Sequence, residues 1–194
     1  MGSKLIIITG ITMAGKSSTA KALVERLQTE GVAIELLKET TTRPKRKSDY
    51  SNPEYHFVTD EEYNRKEFLV STEFKVANGE IWRYGIELPE NINTGVIVTS
   101  MYSIDSLLEN ACLPEDLELI IFYLNISKEG ILSRDKGDRL YQRGDDVLAR
   151  IDRDIYNYNK LFEKHKQKEI IYKIGCDTLN LESVVEMIYI LLGF

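Results

Sequence analysis

Short runs of hydrophobic residues alternate along the chain with longer stretches in which hydrophobic and polar residues mix. The first run, Leu5 to Ile8, is aliphatic and largely β-branched, as in a strand that is covered on both faces. Similar runs occur at Val32 to Leu37, Val96 to Thr99, Leu117 to Leu124 and Ile170 to Ile174. Strands separated by helices form the right-handed units of a parallel sheet. The pattern therefore predicts an α/β fold with a central parallel sheet.

The stretches between these runs have the period of amphipathic helices. Gly31 is the expected C-terminal cap of the first helix. Helices on both faces of a sheet make a three-layer architecture, which we expect for most of the chain. The predicted helices span about Lys16 to Glu30, Ile104 to Asn110, Val147 to Lys166 and Leu181 to Leu192.

The part of the chain between residues 39 and 92 has a different pattern. Glu54 to Val58 alternates like an edge strand. Two further strand-like pieces, Glu73 to Ala77 and Ile81 to Ile86, flank Asn78-Gly79, which is a strong signal for a hairpin turn. We therefore expect a small β-rich insertion within the α/β core.

A phosphate-binding loop is predicted between the first strand and the first helix. Gly10, Gly15, Lys16 and Ser17 satisfy the pattern G-x-x-x-x-G-K-[ST]. The glycines allow backbone N–H groups to converge on phosphate, and the helix that follows presents the positive end of its dipole. Lys16 would reach the β- and γ-phosphates of a nucleotide, and the Ser17 hydroxyl would ligate magnesium. The motif lies between a predicted strand and a predicted helix, which is the context that a phosphate-binding loop requires and that a chance match to the pattern need not have.

Composition and charge exclude several classes of protein. A chain of 194 residues with 43% hydrophobic content suits one domain, and its net charge of -6 argues against a nucleic-acid or anionic-membrane binder. Cys112 and Cys176 are the only cysteines, so neither a disulfide framework nor a zinc site is indicated. No hydrophobic stretch approaches the length of a membrane span. We expect a cytoplasmic protein.

Two basic segments are candidates for further phosphate contacts. The first runs from Thr40 to Lys47 and holds four cations interrupted by Pro44. Such a run is often only a solvated loop. Phosphoryl transfer, however, is catalysed mostly by positioning and by cations, which two basic loops would supply. The second segment is rich in arginine and contains Arg134, Arg139, Arg143 and Arg150.

In order and in approximate spacing, these motifs resemble the guanylate kinase family over nearly the whole chain. The resemblance rests on the P-loop, on Thr41-Thr42-Arg43-Pro44-Lys45-Arg46, on Tyr55-His56-Phe57-Val58, on Tyr84-Gly85 and on the arginine-rich segment ahead of Arg150. It implies a core at 1–38, 93–133 and 148–194, a nucleoside monophosphate (NMP)-binding insertion at 39–92 and a lid at 134–147. It also implies ATP and Mg²⁺ as cofactors and small-molecule nucleotides as substrates.

The resemblance assigns roles to individual residues. The catalytic set would be Lys16, Arg43, Arg134 and Arg150, with either Arg139 or Arg143 as a third lid arginine. Residues that match the family's grip on the acceptor phosphate are Arg43, Arg46, Tyr55 and Tyr84. The ATP-binding set would be Gly10, Ala14, Gly15, Lys16, Ser17 and Ser18.

The positions that would read the acceptor's base depart from the family's pattern. Glu39 stands where the family usually has Ser, Val70 where it has Glu, and Ile86 where it has a small hydroxyl residue. The family's Asp-x-Asp on the third strand is replaced by Val98-Thr99-Ser100, so Ser100 occupies an acid's position. A polar pocket that loses its partners can lose about 10⁴-fold discrimination. The residues expected to contact phosphate therefore match the family's pattern, whereas those expected to contact the base do not.

The sequence thus favours a kinase that transfers the γ-phosphoryl group of ATP to a (d)NMP, with (d)GMP as the favoured acceptor. Such an acceptor needs no general base, because a phosphate monoester has a second pKa of about 6 and is already anionic at neutral pH. A kinase of the same fold acting on another NMP or on a small phosphate ester remains an alternative.

Two alternatives come from other classes. A catalytically silent, protein-binding module of the same fold usually lacks a working P-loop, which is intact here. A regulatory P-loop GTPase would need Asn-Lys-x-Asp, whereas Asn159-Lys160 is followed by Leu161-Phe162. The chain could act as a monomer or a homodimer, with no nucleic acid or membrane partner expected.

Overall fold

A computed structural model of the chain describes residues 3–46, 49–50, 55–76, 78–87, 89, 93–110, 113–134 and 147–194. Its strands are β1 (Lys4–Gly10), β2 (Glu35–Leu37), β3 (Glu39–Thr41), β4 (Tyr55–Phe57), β5 (Val70–Lys75), β6 (Ile81–Ile86), β7 (Thr94–Val98), β8 (Glu118–Asn125) and β9 (Ile171–Gly175). Its helices are α1 (Lys16–Thr29), α2 (Asp60–Tyr63), α3 (Met101–Asn110), α4 (Lys128–Arg134), α5 (Val147–Lys164) and α6 (Leu181–Leu191).

The central sheet has the order β2-β7-β1-β8-β9, and all of its strand pairs are parallel. β1 lies in the middle, and Leu5 to Ile8 are fully buried because both faces of the sheet are covered. α1 buries residues at helical spacing, among them Ala20, Leu23 and Leu27. The predicted α/β fold with a central parallel sheet is confirmed.

The insertion forms a second sheet of order β4-β3-β6-β5. β5 and β6 pair in an antiparallel hairpin, and β4 lies at the edge. The hairpin turn falls at Asn78-Gly79, where Gly79 has a φ of 88°. Val76 donates its N–H to the carbonyl of Glu80 across this turn. The predicted hairpin is therefore confirmed.

One prediction at the junction of the sheets differs from the structure. The predicted buried strand Val32 to Leu37 is shorter, begins at Glu35 and lies at the edge of the central sheet. Immediately after it, Glu39–Thr41 forms a fully buried strand, although its composition is polar. This burial is possible because the side chains find partners: Thr41, for example, donates its Oγ1 hydrogen to the carbonyl of Arg83 at 2.8 Å.

No helix in the described ranges combines the length and the apolar character that crossing a bilayer would require. Most of the predicted lid, including Arg139 and Arg143, lies outside the residues that the structure describes. The described chain resumes at Val147, where α5 begins.

Candidate active site

The loop between β1 and α1 has the backbone geometry of a phosphate nest. Gly10 has a φ of 157°, and a Cβ placed on it would lie 2.9 Å from the carbonyl oxygen of Leu124. Gly15 caps α1 with a φ of 91°, a left-handed conformation that glycine adopts without strain. Met13, between them, also has a positive φ, of 68°. The two glycines of the motif are therefore required by the path of the chain.

Lys16 folds back across this loop. Its Nζ donates hydrogen bonds to the carbonyl oxygens of Gly10 at 3.0 Å and Ile11 at 2.9 Å. The ammonium group is thus held close to the first turn of α1, whose N–H groups have no acceptor within the helix. Ser17 and Ser18 belong to the same turn. A cation and several N–H donors converge on one small volume, as an oligophosphate requires.

A cleft of about 510 Å³, which we call the first cleft, lies on one side of the loop. Its walls are the P-loop turn around Ala14 and Gly15, the end of α4, and the segment from Cys176 to Val184. Arg134 lines this cleft, and its Nη2 donates to the carbonyl oxygens of Cys176 and Leu179. The volume falls in the range of small-molecule sites.

A smaller cleft of about 180 Å³, the second cleft, lies on the other side of the loop. It brings together residues from four parts of the chain: the P-loop, the insertion, the end of β7 with the start of α3, and α5. They are Gly10, Thr12 and Lys16; Tyr55; Val98, Thr99, Ser100, Met101 and Tyr102; and Arg150, Asp154 and Tyr158. The predicted residues Lys16, Tyr55, Ser100 and Arg150 thus share one cleft.

Arg43 lies behind Tyr55 and is only 5% exposed. Its guanidinium forms a bidentate pair with Asp49, with Nη1–Oδ2 and Nη2–Oδ1 distances of 2.8 and 3.0 Å. Hydrogen bonding from Arg43 lowers the pKa of the Asp49 carboxyl, which also accepts the backbone N–H of Arg46. Sequence reasoning missed Asp49, although an acid so close to a run of cations could have indicated their partner.

Aromatic rings surround the Arg43 guanidinium. Its central carbon lies 4.8 Å from the ring of Tyr55 and 4.9 Å from that of Phe57. Tyr84 packs edge-on against Tyr55, with ring centroids 6.0 Å apart, and burial raises the pKa of its hydroxyl. The structure therefore brings Arg43, Tyr55 and Tyr84 together, and Arg46 is exposed at their margin.

The positions that depart from the family's pattern are buried. Val70 and Ile86 are 6% and 0% exposed and lie opposite each other on β5 and β6. Glu39 is 2% exposed, and its Oε1 accepts hydrogen bonds from Thr99 Oγ1 at 2.7 Å and Ser103 Oγ at 2.9 Å. Burial raises the pKa of Glu39 to about 7, against the opposing effect of these two bonds.

The raised pKa of Glu39 predicts a dependence of stability on pH. The folded state keeps the proton up to about pH 7, whereas the unfolded carboxyl loses it near 4.5. The free energy of unfolding should therefore fall as pH rises from 4.5 to 7, by up to about 3 kcal/mol from this group. Glu39→Gln cannot titrate and should lack this component.

Urea unfolding of the wild type and Glu39→Gln at pH 4.5 and 8 measures the difference. Glu61→Gln, on the exposed surface of α2, is the matched control and should follow the wild type. A stability difference between the wild type and Glu39→Gln that is the same at both pH values would contradict the assigned pKa.

Of the predicted lid arginines, the structure describes Arg134 and Arg150. Both are exposed, and Arg134 lines the first cleft whereas Arg150 lines the second. Sequence reasoning missed Asp154 and Tyr158, which follow Arg150 at intervals of four residues. That spacing places all three on one face of α5. The spacing is the sequence signal that could have identified Asp154 and Tyr158.

These features define a P-loop α/β protein with an inserted β-sheet beside its phosphate nest. The guanylate kinase family model matches residues 2–74, which include the P-loop and part of the insertion. The fold is similar to that of guanylate kinase from Anaplasma phagocytophilum, with a TM-score of 0.58 and 16% identity over 99% of this chain and 85% of the other. The family model thus matches the first part of the chain, and the structural likeness shows a shared fold.

Another solved structure, that of APE1195, aligns with a TM-score of 0.49 and 13% identity over 99% of this chain and 96% of the other. A search of curated proteins gave no match. At 16% identity the likeness to the Anaplasma phagocytophilum enzyme shows the fold, and the roles of individual residues must be argued from their own geometry.

Proposed function

We propose that the chain is an ATP-dependent NMP kinase that transfers the γ-phosphoryl group to the phosphate of a (d)NMP, with (d)GMP as the favoured acceptor. The observation that carries this proposal is the second cleft, in which Lys16, Tyr55 and Arg150 meet. Cations from the P-loop and from α5 there face an aromatic residue of the insertion, behind which Arg43 is held. Two phosphate groups could be held side by side in this arrangement.

In this proposal the donor nucleotide binds with its phosphates on the P-loop and its nucleoside in the first cleft. The N–H groups of Gly15, Lys16 and Ser17 donate to the phosphates, and the Lys16 ammonium moves from the loop carbonyls to the β- and γ-phosphates. The positive charge then lies where negative charge accumulates during transfer, which is the main source of catalysis in phosphoryl transfer.

Ser17 is the residue that would ligate Mg²⁺. Within the described ranges, no group of three or more His, Cys, Asp or Glu side chains could hold a metal ion. A single protein hydroxyl suits an ion that binds chiefly to nucleotide phosphates and water, as Mg²⁺ commonly does in kinases. When bound, the ion would neutralise charge on the phosphates.

The acceptor phosphate would bind between Arg46, Arg43 and the hydroxyls of Tyr55 and Tyr84. Its oxygen attacks as an anion, so the chain needs no carboxylate as general base. Arg150 would approach the transferring group from α5.

A second candidate acceptor, another NMP or a small phosphate ester, is favoured by the buried positions that replace the family's base readers. Val70 and Ile86 are apolar and buried, and Glu39 Oε1 accepts hydrogen bonds from Thr99 and Ser103. A guanine base would find fewer polar partners there, and discrimination between bases would weaken accordingly.

The test is a transfer assay with ATP, Mg²⁺ and a panel of acceptors: GMP, dGMP, the other common NMPs and dNMPs, and small sugar phosphates. We expect transfer to at least one nucleotide, with (d)GMP among the acceptors. Transfer only to a sugar phosphate would support the second candidate. ATP binding without transfer to any acceptor would contradict the proposal and favour a silent binding module.

A further inference from the structure

We propose that Asp154 and Tyr158 are positioning residues that fix the P-loop to α5, the helix that carries Arg150. This inference rests on the proposed function, because it concerns the geometry of the same site. Both side chains lie on the face of α5 that lines the second cleft. Both bond to backbone N–H groups of the P-loop, from which they are far in sequence.

Asp154 bonds to the middle of the loop. Its Oδ2 accepts hydrogen bonds from the backbone N–H of Thr12 at 2.9 Å and from the Thr12 hydroxyl at 2.8 Å. A carboxylate that receives two donors from one residue fixes both the position and the orientation of that residue. The path of the loop at Thr12 is thus set by α5.

Tyr158 bonds to the start of the loop. Its hydroxyl accepts the N–H of Gly10 at 3.2 Å and lies 2.6 Å from Thr9 Oγ1. The single hydroxyl proton of Thr9 goes to the carbonyl of Thr99 at 3.1 Å, so Tyr158 must donate in its bond to Thr9. Burial raises the pKa of Tyr158, which keeps that proton on the phenol. The Tyr158 hydroxyl therefore accepts from Gly10 and donates to Thr9.

The chain of hydrogen bonds continues into the insertion. Thr99, whose carbonyl accepts from Thr9, donates its own hydroxyl to Glu39 at the beginning of β3. All five residues of this path are buried: Tyr158, Thr9, Thr99, Ser103 and Glu39. These hydrogen bonds therefore link α5, the P-loop, the end of β7 and the first strand of the insertion, β3.

These contacts divide the N–H groups of the loop between two tasks. The N–H groups of Gly10 and Thr12 are engaged by α5, and that of Ala14 bonds to the carbonyl of Ile11. In the proposed function, phosphate binds at the N–H groups at the start of α1. Because Arg150 stands one helical turn before Asp154, the same contacts also set its distance from the phosphate nest.

The test compares Tyr158→Phe and Asp154→Ala with the wild type by steady-state kinetics and by calorimetric titration with ATP. We expect a 10- to 100-fold loss of kcat/KM for ATP and weaker ATP binding, with the acceptor KM within about twofold of the wild type. Asp154→Asn keeps an oxygen acceptor and should recover most of the loss seen in Asp154→Ala.

Two controls separate positioning from stability. Tyr156→Phe removes a hydroxyl from the exposed side of the same helix and should change neither kinetics nor binding. Ile188→Val in the buried face of α6 should lower the melting temperature without changing KM for ATP.

The inference is overturned if Tyr158→Phe and Asp154→Ala behave like Ile188→Val, with reduced stability and unchanged ATP binding. It is also overturned if Asp154→Asn is as impaired as Asp154→Ala. Because ATP binding is measured without turnover, a wild type that phosphorylates no acceptor would refute the proposed function and leave this test in force.

Discussion

Lys16→Ala is expected to lower kcat for phosphoryl transfer by about 10³-fold, because the proposed function places the Lys16 ammonium on the phosphates during transfer. In the structure the Lys16 ammonium bonds to two carbonyl oxygens at the mouth of the P-loop. Each such bond contributes about 1 kcal/mol net, so the free energy of unfolding should change by no more than about 2 kcal/mol. Transfer assays at saturating ATP, with urea unfolding alongside, separate the two effects.

Lys128→Ala is the matched control for Lys16→Ala. Lys128 forms an exposed ion pair with Asp152 at 2.7 Å on the outer surface, and such pairs contribute little. Its kcat and stability should stay close to those of the wild type. A Lys16→Ala variant that keeps more than a third of wild-type kcat would contradict the assigned role of the P-loop lysine.

Arg43→Ala is expected to reduce the free energy of unfolding by about 3 kcal/mol and to raise the acceptor KM about 100-fold. The stability loss follows from the buried pair, because the Asp49 carboxylate, 8% exposed, would lose its bidentate partner. The kinetic loss follows if the guanidinium also contacts the acceptor phosphate. Urea unfolding and acceptor titrations measure the two quantities in one preparation.

The double variant Arg43→Ala/Asp49→Ala distinguishes these effects. Removing both charges should recover much of the stability and none of the acceptor KM. Arg26→Ala, which removes two surface ion pairs, with Glu30 and Glu186, should change stability little and leave KM unchanged. Recovery of the acceptor KM in the double variant would show that Arg43 stabilises the fold and does not bind the acceptor.

Local signals in the sequence were sufficient for the parallel core and for the hairpin of the insertion. Leu5 to Ile8 form an unbroken apolar run because β1 is covered on both faces. In the hairpin of the insertion, Asn78-Gly79 marks the turn because the φ of 88° at Gly79 favours glycine. In each case the residues that create the signal are the residues that adopt the structure.

The polar interior could not be predicted in the same way. The sequence of β3, Glu39 to Thr41, has the composition of a surface segment, yet the strand is buried because partners distant in sequence satisfy its side chains. Glu39, for example, bonds to Thr99, 60 positions away. Asp154 likewise bonds to Thr12 across 142 positions. Such pairs depend on the tertiary fold, and a single sequence does not show which residues form them.

The arginine-rich segment shows a further limit of motif matching. Arg134 and Arg150 both match lid positions of the family, but they line different clefts in the structure. Arg134 bonds to the carbonyl of Leu179, on the side where the nucleoside of ATP is proposed to bind. Arg150 faces the proposed site of transfer. The proposed function therefore assigns Arg134 to binding and Arg150 to catalysis, although their sequence context is alike.

In the proposed function, the P-loop and the Arg43 region hold two phosphate groups across one cleft. A bisubstrate analogue, adenosine joined to guanosine through five phosphates, would occupy both positions at once, and its affinity can be measured by calorimetric titration. We expect the analogue to bind at least 100-fold more tightly than ATP or GMP alone, and Lys16→Ala and Arg43→Lys each to remove most of that gain. Binding no tighter than that of ATP, and unchanged in Arg43→Lys, would refute the pairing of the two phosphate sites.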